Sequence, residues 1–472
     1  MIIFGILLSI LYVLGAISAF HAVIYSRTSQ GAIAWALSLT FFPIVAAPAY
    51  WVFGRRKFEG YVLARKQVLE DFGEISANMA NNIRPYLLSA QETNSSIHAA
   101  ELMARVPLVT GNRCELLIDG EATFKSIFDG IEGAQEYVLV QFYIVRSDGL
   151  GNALKDRLIA KANSGVKVFF LYDELGSVGI GTSYIKELKR SGVVVHPFNT
   201  RKGIHNSFQV NFRNHRKVVV VDGQTAWIGG HNVGDEYLGK DEKIGAWRDT
   251  HVKISGPAAL AAQVSFLEDF RWAADYFPEV KWQTKTDHKE NQPVLIIPTG
   301  PADDIDTALL MFTHIINSAK SRIWISTPYF VPDESVILAL QLARLRGVDV
   351  RVLIPQVPDN LLTYFAAYSF FDDLFASGVE FYRYQAGFTH EKVLLIDNNL
   401  SAIGTANFDN RSFRLNFEIT ALIGDETFAR DVQTMFEQGF GQSILMQKDD
   451  YTNKSIWFKF AVNASRLMSP VL

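Results

Sequence analysis

Two long uncharged runs open the chain before its pattern changes. No charged residue occurs from Ile2 to Tyr25, and after the break Ser26-Arg27-Thr28-Ser29-Gln30 a second such run extends from Gly31 to Gly54. Each is long enough to cross a bilayer core as a helix. Pro43 and Pro48 are tolerated in membrane helices whose neighbours satisfy the freed carbonyls. The pattern predicts a two-helix transmembrane hairpin over residues 1–56. A cleaved leader is the alternative for the first run, but the basic start and small-residue cleavage site of a leader are missing. Arg27 stands alone in the break, whereas Arg55, Arg56, Lys57, Arg65 and Lys66 follow the second run. The positive-inside rule therefore puts both termini, and everything after residue 54, in the cytoplasm.

Residues 57–108 alternate polar and apolar positions at helical spacing, which predicts a helical connector. Beyond it, short β-branched and aromatic runs alternate with helix-length stretches, the mark of α/β architecture. Val138 to Tyr143 reads as a strand, Asn152 to Ser164 as a helix and Val166 to Leu171 as the next strand. The order then repeats. Tyr137 to Val145 is echoed by Arg322 to Val331, Gly165-Val166-Lys167-Val168 by Gly347-Val348-Asp349-Val350, and Gly192-Val193-Val194-Val195 by Gly378-Val379-Glu380-Phe381. Such repetition predicts a tandem duplication over 109–290 and 291–472. The first copy carries an insertion, Asn199 to Phe212, holding Arg201, Lys202, Phe208 and Phe212, read as an exposed loop with lipid contact near the mouth of the site as the alternative. Residues 451–472 mix Ile456, Trp457, Phe458, Phe460, Val462 and Leu467 with Lys454, Lys459 and Arg466, a segment that either lies in a lipid interface or packs on the core.

Composition removes several function classes. The formal charge is −4 and the 45 basic residues form no long run, which argues against a nucleic-acid partner. Cys114 is the single cysteine, so internal disulfides, cysteine-rich zinc sites and CxxC redox chemistry are excluded.

The candidate chemistry lies late in each repeat. His215-Arg216-Lys217-Val218-Val219-Val220-Val221-Asp222 and His390-Glu391-Lys392-Val393-Leu394-Leu395-Ile396-Asp397 both spell H-x-K-x-x-x-x-D. They continue to Gly229-Gly230-His231-Asn232 and Gly404-Thr405-Ala406-Asn407. One such match arises by chance in roughly one chain in forty, but two in corresponding places of a duplication are strong evidence. Residues two apart on a strand share a face, so each His and Lys point together while Val218 and Val220, or Val393 and Leu395, pack behind. Asp222 and Asp397 complete the catalytic motifs at odd offset, and parity makes them supports rather than groups that touch the reacting phosphorus.

Two imidazoles beside two ammonium groups suit a phosphodiester, whose negative charge repels nucleophiles unless it is neutralised. One neutral histidine attacks phosphorus while the other protonates the departing alkoxide, and no metal is required. Histidine tautomers are commonly held by carboxylates. Asp249, in Trp247-Arg248-Asp249, is expected to orient His215, and Glu418, in Asn416-Phe417-Glu418, to orient His390. Asn232, Asn407 and Arg411 are candidate donors to phosphate oxygens.

These paired motifs resemble those of the phospholipase D superfamily. Across its whole length, through Ala32-Ile33-Ala34-Trp35, Thr327-Pro328-Tyr329-Phe330-Val331-Pro332 and Asn407-Phe408-Asp409-Asn410-Arg411-Ser412, the chain resembles its membrane-anchored bacterial cardiolipin synthases. Thr405 stands where the superfamily often has Ser. The resemblance implies two phospholipase D-like domains, each a mixed β-sheet flanked by helices, related by a pseudo-twofold axis around one site. It also implies a phosphatidyltransferase of the bacterial inner membrane that joins two phosphatidylglycerol molecules among anionic lipids, without cofactor. Which histidine is the nucleophile stays open, with the superfamily favouring His215. Hydrolysis, nuclease activity, phosphatidylethanolamine as donor and a purely lipid-binding role are the other readings.

Overall fold

The computed structural model describes residues 2–71, 79–88, 95–202, 209–286 and 289–472. Seven strands of each half join one continuous sheet. In the first half they are β1 (Val109–Ile118), β2 (Tyr137–Phe142), β3 (Lys167–Asp173), β4 (Val194–Phe198), β5 (Val218–Val221), β6 (Thr225–Gly229) and β7 (Thr250–Ser255). In the second they are β8 (Gln292–Thr299), β9 (Arg322–Ser326), β10 (Asp349–Pro355), β11 (Glu380–Tyr384), β12 (Val393–Ile396), β13 (Leu400–Gly404) and β14 (Asn416–Ile423). The spatial order is β4-β3-β2-β5-β6-β7-β1-β8-β14-β13-β12-β9-β10-β11. Replacing each strand by its counterpart seven places on reads the sequence back from the other end. The duplication is thus closed about the antiparallel β1–β8 contact. In each half three strands, β2, β3 and β4 or β9, β10 and β11, run parallel and the remaining pairs antiparallel, and the short strand Ser443–Leu445 adds antiparallel to the edge of β11, giving the expected mixed sheet.

Both faces of the sheet are covered, so its central strands read as continuous apolar runs rather than alternating ones. Val218 and Val220, with Val393 and Leu395, face a core shared by the two halves and roofed by helices Ala258–Ala274 and Glu426–Gly441. Val219 and Val221 face the first half's own helices, and Leu394 and Ile396 those of the second. Each such burial contributes roughly 1.5–3 kcal/mol before chain entropy is counted. The middle residue of each H-x-K shares the inner face. Arg216 pairs with Asp269 at 2.9 Å and Glu391 with Arg248 at 2.9 Å, all four buried. Removing one partner of such a buried pair strands the other's charge, at a cost of about 3–5 kcal/mol.

The N-terminal segment departs from expectation. It forms α1 (Ile2–Tyr25), α2 (Ser29–Phe41) and α3 (Pro43–Phe53). The second apolar run is two helices, because Phe42 leaves helical geometry at φ −132°, ψ 51° and Pro43 has no N–H to continue the ladder. α3 then doubles back along α1. Gly15 lies against Leu39 and Pro43, Ser18 Oγ accepts a hydrogen bond from Trp51 at 3.0 Å, and His21 Nδ1 lies 2.6 Å from the Tyr50 hydroxyl. Contacts thus climb α1 as α3 proceeds. Arg27, Arg56 and Lys57 consequently line one cavity with Asp306 and Arg414 of the second half. Among the described residues no helix is long and apolar enough to cross a membrane. The expected hairpin of two transmembrane helices is therefore not the arrangement found: α1 packs against a bent pair whose two ends lie together.

The connector is helical at Glu59–Asp71 and Ser95–Ala104, while 72–78 and 89–94 fall outside the described residues. It is pinned to the catalytic body: Phe58 stacks on Phe212 at 5.6 Å, and the Tyr61 hydroxyl donates to Asp269 at 2.7 Å. Phe212 of the insertion is therefore core, Arg201 and Lys202 pair with Glu174 and Asp275, and Phe208 lies outside the described residues. The helix Ile456–Arg466 packs one face on the core, as one of the two readings of the C-terminal segment expected. Val462 is buried and Phe458 packs on Tyr368, while Ile456, Trp457 and Phe460 stand exposed.

Candidate active site

Neither His-x-Lys segment lies within its strand; each is held just ahead of it by the other repeat. Arg213–Asn214 pairs in parallel with Asn416–Phe417, and the His215 N–H donates to the Phe417 carbonyl at 2.9 Å. Phe388–Thr389 likewise pairs with Trp247–Arg248, and the His390 N–H donates to the Arg248 carbonyl at 2.7 Å. These ladders put the next residues side by side across the interface. His215 Nδ1 lies 3.0 and 2.9 Å from the two Glu418 oxygens, and His390 Nδ1 lies 2.7 Å from Asp249 Oδ2. Both carboxylates expected from sequence are present, but the pairing within each repeat is wrong. Each acid serves the opposite repeat's histidine, because backbone pairing between the repeats sets the register.

The two carboxylates are supported differently. Glu418 accepts from the Thr405 hydroxyl at 2.5 Å and from Asn416 Nδ2 at 3.1 Å. Gly230 occupies the place of Thr405 in the first repeat, where a Cβ would come within 2.0 Å of Asp249 Oδ1. The shorter acid therefore needs glycine beside it, and the longer one gains a hydroxyl.

Lys217 and Lys392 are buried beside their histidines. Lys217 Nζ donates to the His215 carbonyl at 2.7 Å, and Lys392 Nζ to that of His390. Lys392 Nζ also lies 2.8 Å from His390 Nδ1; since that nitrogen's proton goes to Asp249, the carbonyl is the ammonium's acceptor. Burial, against the pull of Glu418, pushes His215 down to about 4. Burial, with Lys392, Lys217 and His215 nearby, holds His390 well below the ordinary range. Burial raises and His215, Lys217 and Thr405 lower Glu418, with a net fall. Burial takes Lys217 well below the usual lysine range and Lys392 down to about 8. In the free enzyme both imidazoles are thus neutral near pH 7, and a phosphodiester anion entering between the lysines favours their charged forms. Because protonated Lys392 is the form that attracts phosphate, kcat/KM should fall as pH rises through about 8. Lys392→Arg should move that limb above the measurable range in a kcat/KM profile.

The remaining sequence candidates divide. Asp222 accepts from the N–H groups of Gln135, Glu136 and Tyr137, and Asp397 from those of Lys320, Ser321 and Arg322. Both adopt left-handed φ, 52° and 51°, which Asp tolerates, and they anchor the start of β2 or β9. They are supports, and the catalytic label of the motif does not extend to them. Asn232 Oδ1 accepts from the Ile144 N–H and its Nδ2 gives one hydrogen to the Tyr237 hydroxyl. Arg411 donates to Asn211 and to the Val471 carbonyl, locking the insertion and the last turn together instead of facing phosphate. Asn407 Oδ1, an acceptor, is buried without a partner, and the Asn407 backbone N–H donates to Ser412 Oγ at 3.1 Å.

Other groups gave no sequence signal. The Tyr143 ring lies 4.9 Å from that of His215 with Lys217 Nζ 5.5 Å above it, and Trp247 packs 4.9 Å from His390. His231 and His251 meet at 3.1 Å between their Nδ1 atoms, and burial pushes both down to about 3, keeping them uncharged. Among the described residues no three His, Cys, Asp or Glu side chains are arranged to hold a metal ion.

Two histidine–lysine pairs, each oriented by the other repeat's carboxylate, define a two-motif phosphodiester-transfer enzyme of the phospholipase D type. The family profile described as "Cardiolipin synthase, PLD-like domain" matches residues 127–257 and 312–439, and that of the phospholipase D-nuclease N-terminal region matches 10–55. The chain is 48% identical to cardiolipin synthase A of Pseudomonas putida (strain W619), over 99% of this chain and 98% of that protein. It is 44% identical to the protein of the same name from Pseudomonas aeruginosa (strain LESB58), over 99% and 96%. The fold is similar to phosphatidylserine synthase of Haemophilus influenzae Rd KW20, with a TM-score of 0.60 at 16% identity over 80% of this chain and 100% of that one. The chain belongs to the cardiolipin synthase family of the phospholipase D superfamily.

Proposed function

We propose that the chain is a cardiolipin synthase: it transfers the phosphatidyl group of one phosphatidylglycerol to the terminal hydroxyl of another, releasing glycerol. The observation that carries this reading is the crossed pairing. Glu418 holds the proton on His215 Nδ1, so Nε2 presents its lone pair to phosphorus. The anionic headgroup, on entering, brings a proton onto His390 Nε2, with Asp249 holding the Nδ1–H of that imidazolium; attack then forms a P–N bond and breaks the P–O bond to glycerol, whose oxygen takes the Nε2 proton. His390 Nε2 then accepts the proton of the incoming lipid hydroxyl, which displaces His215 and forms cardiolipin. Lys217 and Lys392 offset the charge on the non-bridging oxygens at both steps.

Membrane association fits substrates that are themselves lipids. The exposed Ile456, Trp457 and Phe460 beside Lys454 and Lys459 suit contact with an anionic surface. Purified full-length protein given phosphatidylglycerol as the sole lipid should yield cardiolipin and glycerol in equal amounts. Phosphatidic acid as the main product would make it a hydrolase, and no phosphorus-containing product would defeat the reading altogether.

A further inference from the structure

We infer that the second apolar run enters and leaves the lipid bilayer through the same face, as a re-entrant helical pair with Phe42 at its tip. This rests on the proposed lipid chemistry for its membrane partner, but its geometry is independent of the reaction. α2 has 13 residues and α3 has 11. At about 1.5 Å per residue neither reaches beyond roughly 20 Å, short of a hydrocarbon core of about 30 Å. Tyr50 lies beside His21 while Pro43 lies beside Gly15, so the run returns toward the end of α1 from which it started.

The surface this creates matches hydrocarbon. Ile33, Leu37, Phe41, Phe42, Ile44 and Val45 are each more than half exposed, and no charge interrupts residues 31–54. Polar groups face inward or are satisfied locally. His21 meets Tyr50, Trp51 donates to Ser18, and the Thr40 hydroxyl donates to the Ala36 carbonyl at 2.7 Å. At the break, the Phe42 N–H donates to Ser38 at 2.8 Å and the Ala46 N–H to Phe42 at 2.9 Å, so the tip keeps the backbone pairing that lipid demands.

The opposite end is cationic and joined to the catalytic body. Arg27 lies 3.7 Å from Asp306, Lys57 Nζ donates to the Asp304 carbonyl at 3.3 Å, and the Phe58 N–H donates to Pro301 at 3.1 Å. Arg56 and Lys57 are exposed on this catalytic side, beside the half-buried Arg27–Asp306 pair, where anionic headgroups would attract them. The loop carrying Arg27 and the segment carrying Lys57 lie on one side of the bilayer.

Single cysteines placed at Gln30→Cys, Phe42→Cys and Lys57→Cys in a Cys114→Ala background test this. A membrane-impermeant maleimide is applied to sealed vesicles of each orientation, with lipid transfer measured as the control for folding. Gln30→Cys and Lys57→Cys should be labelled from the same face and Phe42→Cys from neither; Ile44→Cys replaces Phe42→Cys if the latter is inactive. Labelling of Gln30→Cys only from the face opposite Lys57→Cys, its failure to label where Lys57→Cys does, or labelling of the tip from either face overturns the topology. An active enzyme with opposite-face labelling removes the topology alone, whereas same-face labelling in a protein that makes no cardiolipin removes only the proposed reaction.

Discussion

Replacing His215 by Ala should lower cardiolipin formation by roughly 10⁴-fold or more, as expected when a covalent nucleophile is lost, and His390→Ala should lower it comparably. The two variants should part company on an activated donor. A phosphatidyl ester of p-nitrophenol needs no proton on its leaving group, so His390→Ala should still release nitrophenol and accumulate an acid-labile phosphatidyl-enzyme on His215. His215→Ala should do neither. Covalent label in His215→Ala but not in His390→Ala would reverse the assignment of nucleophile and acid. Both residues are buried in one site spanned by both repeats, so neither repeat should retain activity through its own motif.

The second large effect comes from the crossed carboxylates. Glu418→Gln and Asp249→Asn should each reduce kcat by about 10²–10⁴-fold with little change in KM, since amides release the tautomer and the imidazolium without touching lipid. Glu418 is paired with His215, so Glu418→Gln should slow covalent labelling even with the nitrophenyl donor. Asp249 is paired with His390, so Asp249→Asn should label His215 nearly normally with that donor and fail on phosphatidylglycerol. The opposite pattern in labelling kinetics would show that each acid serves its own repeat.

Parity explains why much of the site was legible. The period of two that the strands Val218–Val221 and Val393–Ile396 carry also holds in the segments just ahead of them, keeping His215 with Lys217 and His390 with Lys392 and leaving Asp222 and Asp397 to anchor turns. Duplication was equally visible, because each strand of the first half has a counterpart in the second. The partner assignments failed for a different reason. Asp249 lies 34 positions from His215 in the sequence, and nothing in such a spacing reveals that Phe388–Thr389 zips onto Trp247–Arg248 and brings His390 to it instead. Asn232 and Arg411 show the same limit: residue type gives the capacity to donate, but Tyr237, Asn211 and the Val471 carbonyl decide where part of that capacity is used.

The histidine–lysine pairs, the two acids and the apolar character of the N-terminus followed from the sequence alone, since charge, hydropathy and strand parity are local properties of the chain. Which acid meets which histidine, that Tyr143, Trp247, Thr405 and the His231–His251 pair surround them, and that residues 31–54 turn back at Phe42 were decided only by tertiary structure. Those depend on register across an interface and on packing against α1, and both are contacts between residues the sequence holds far apart.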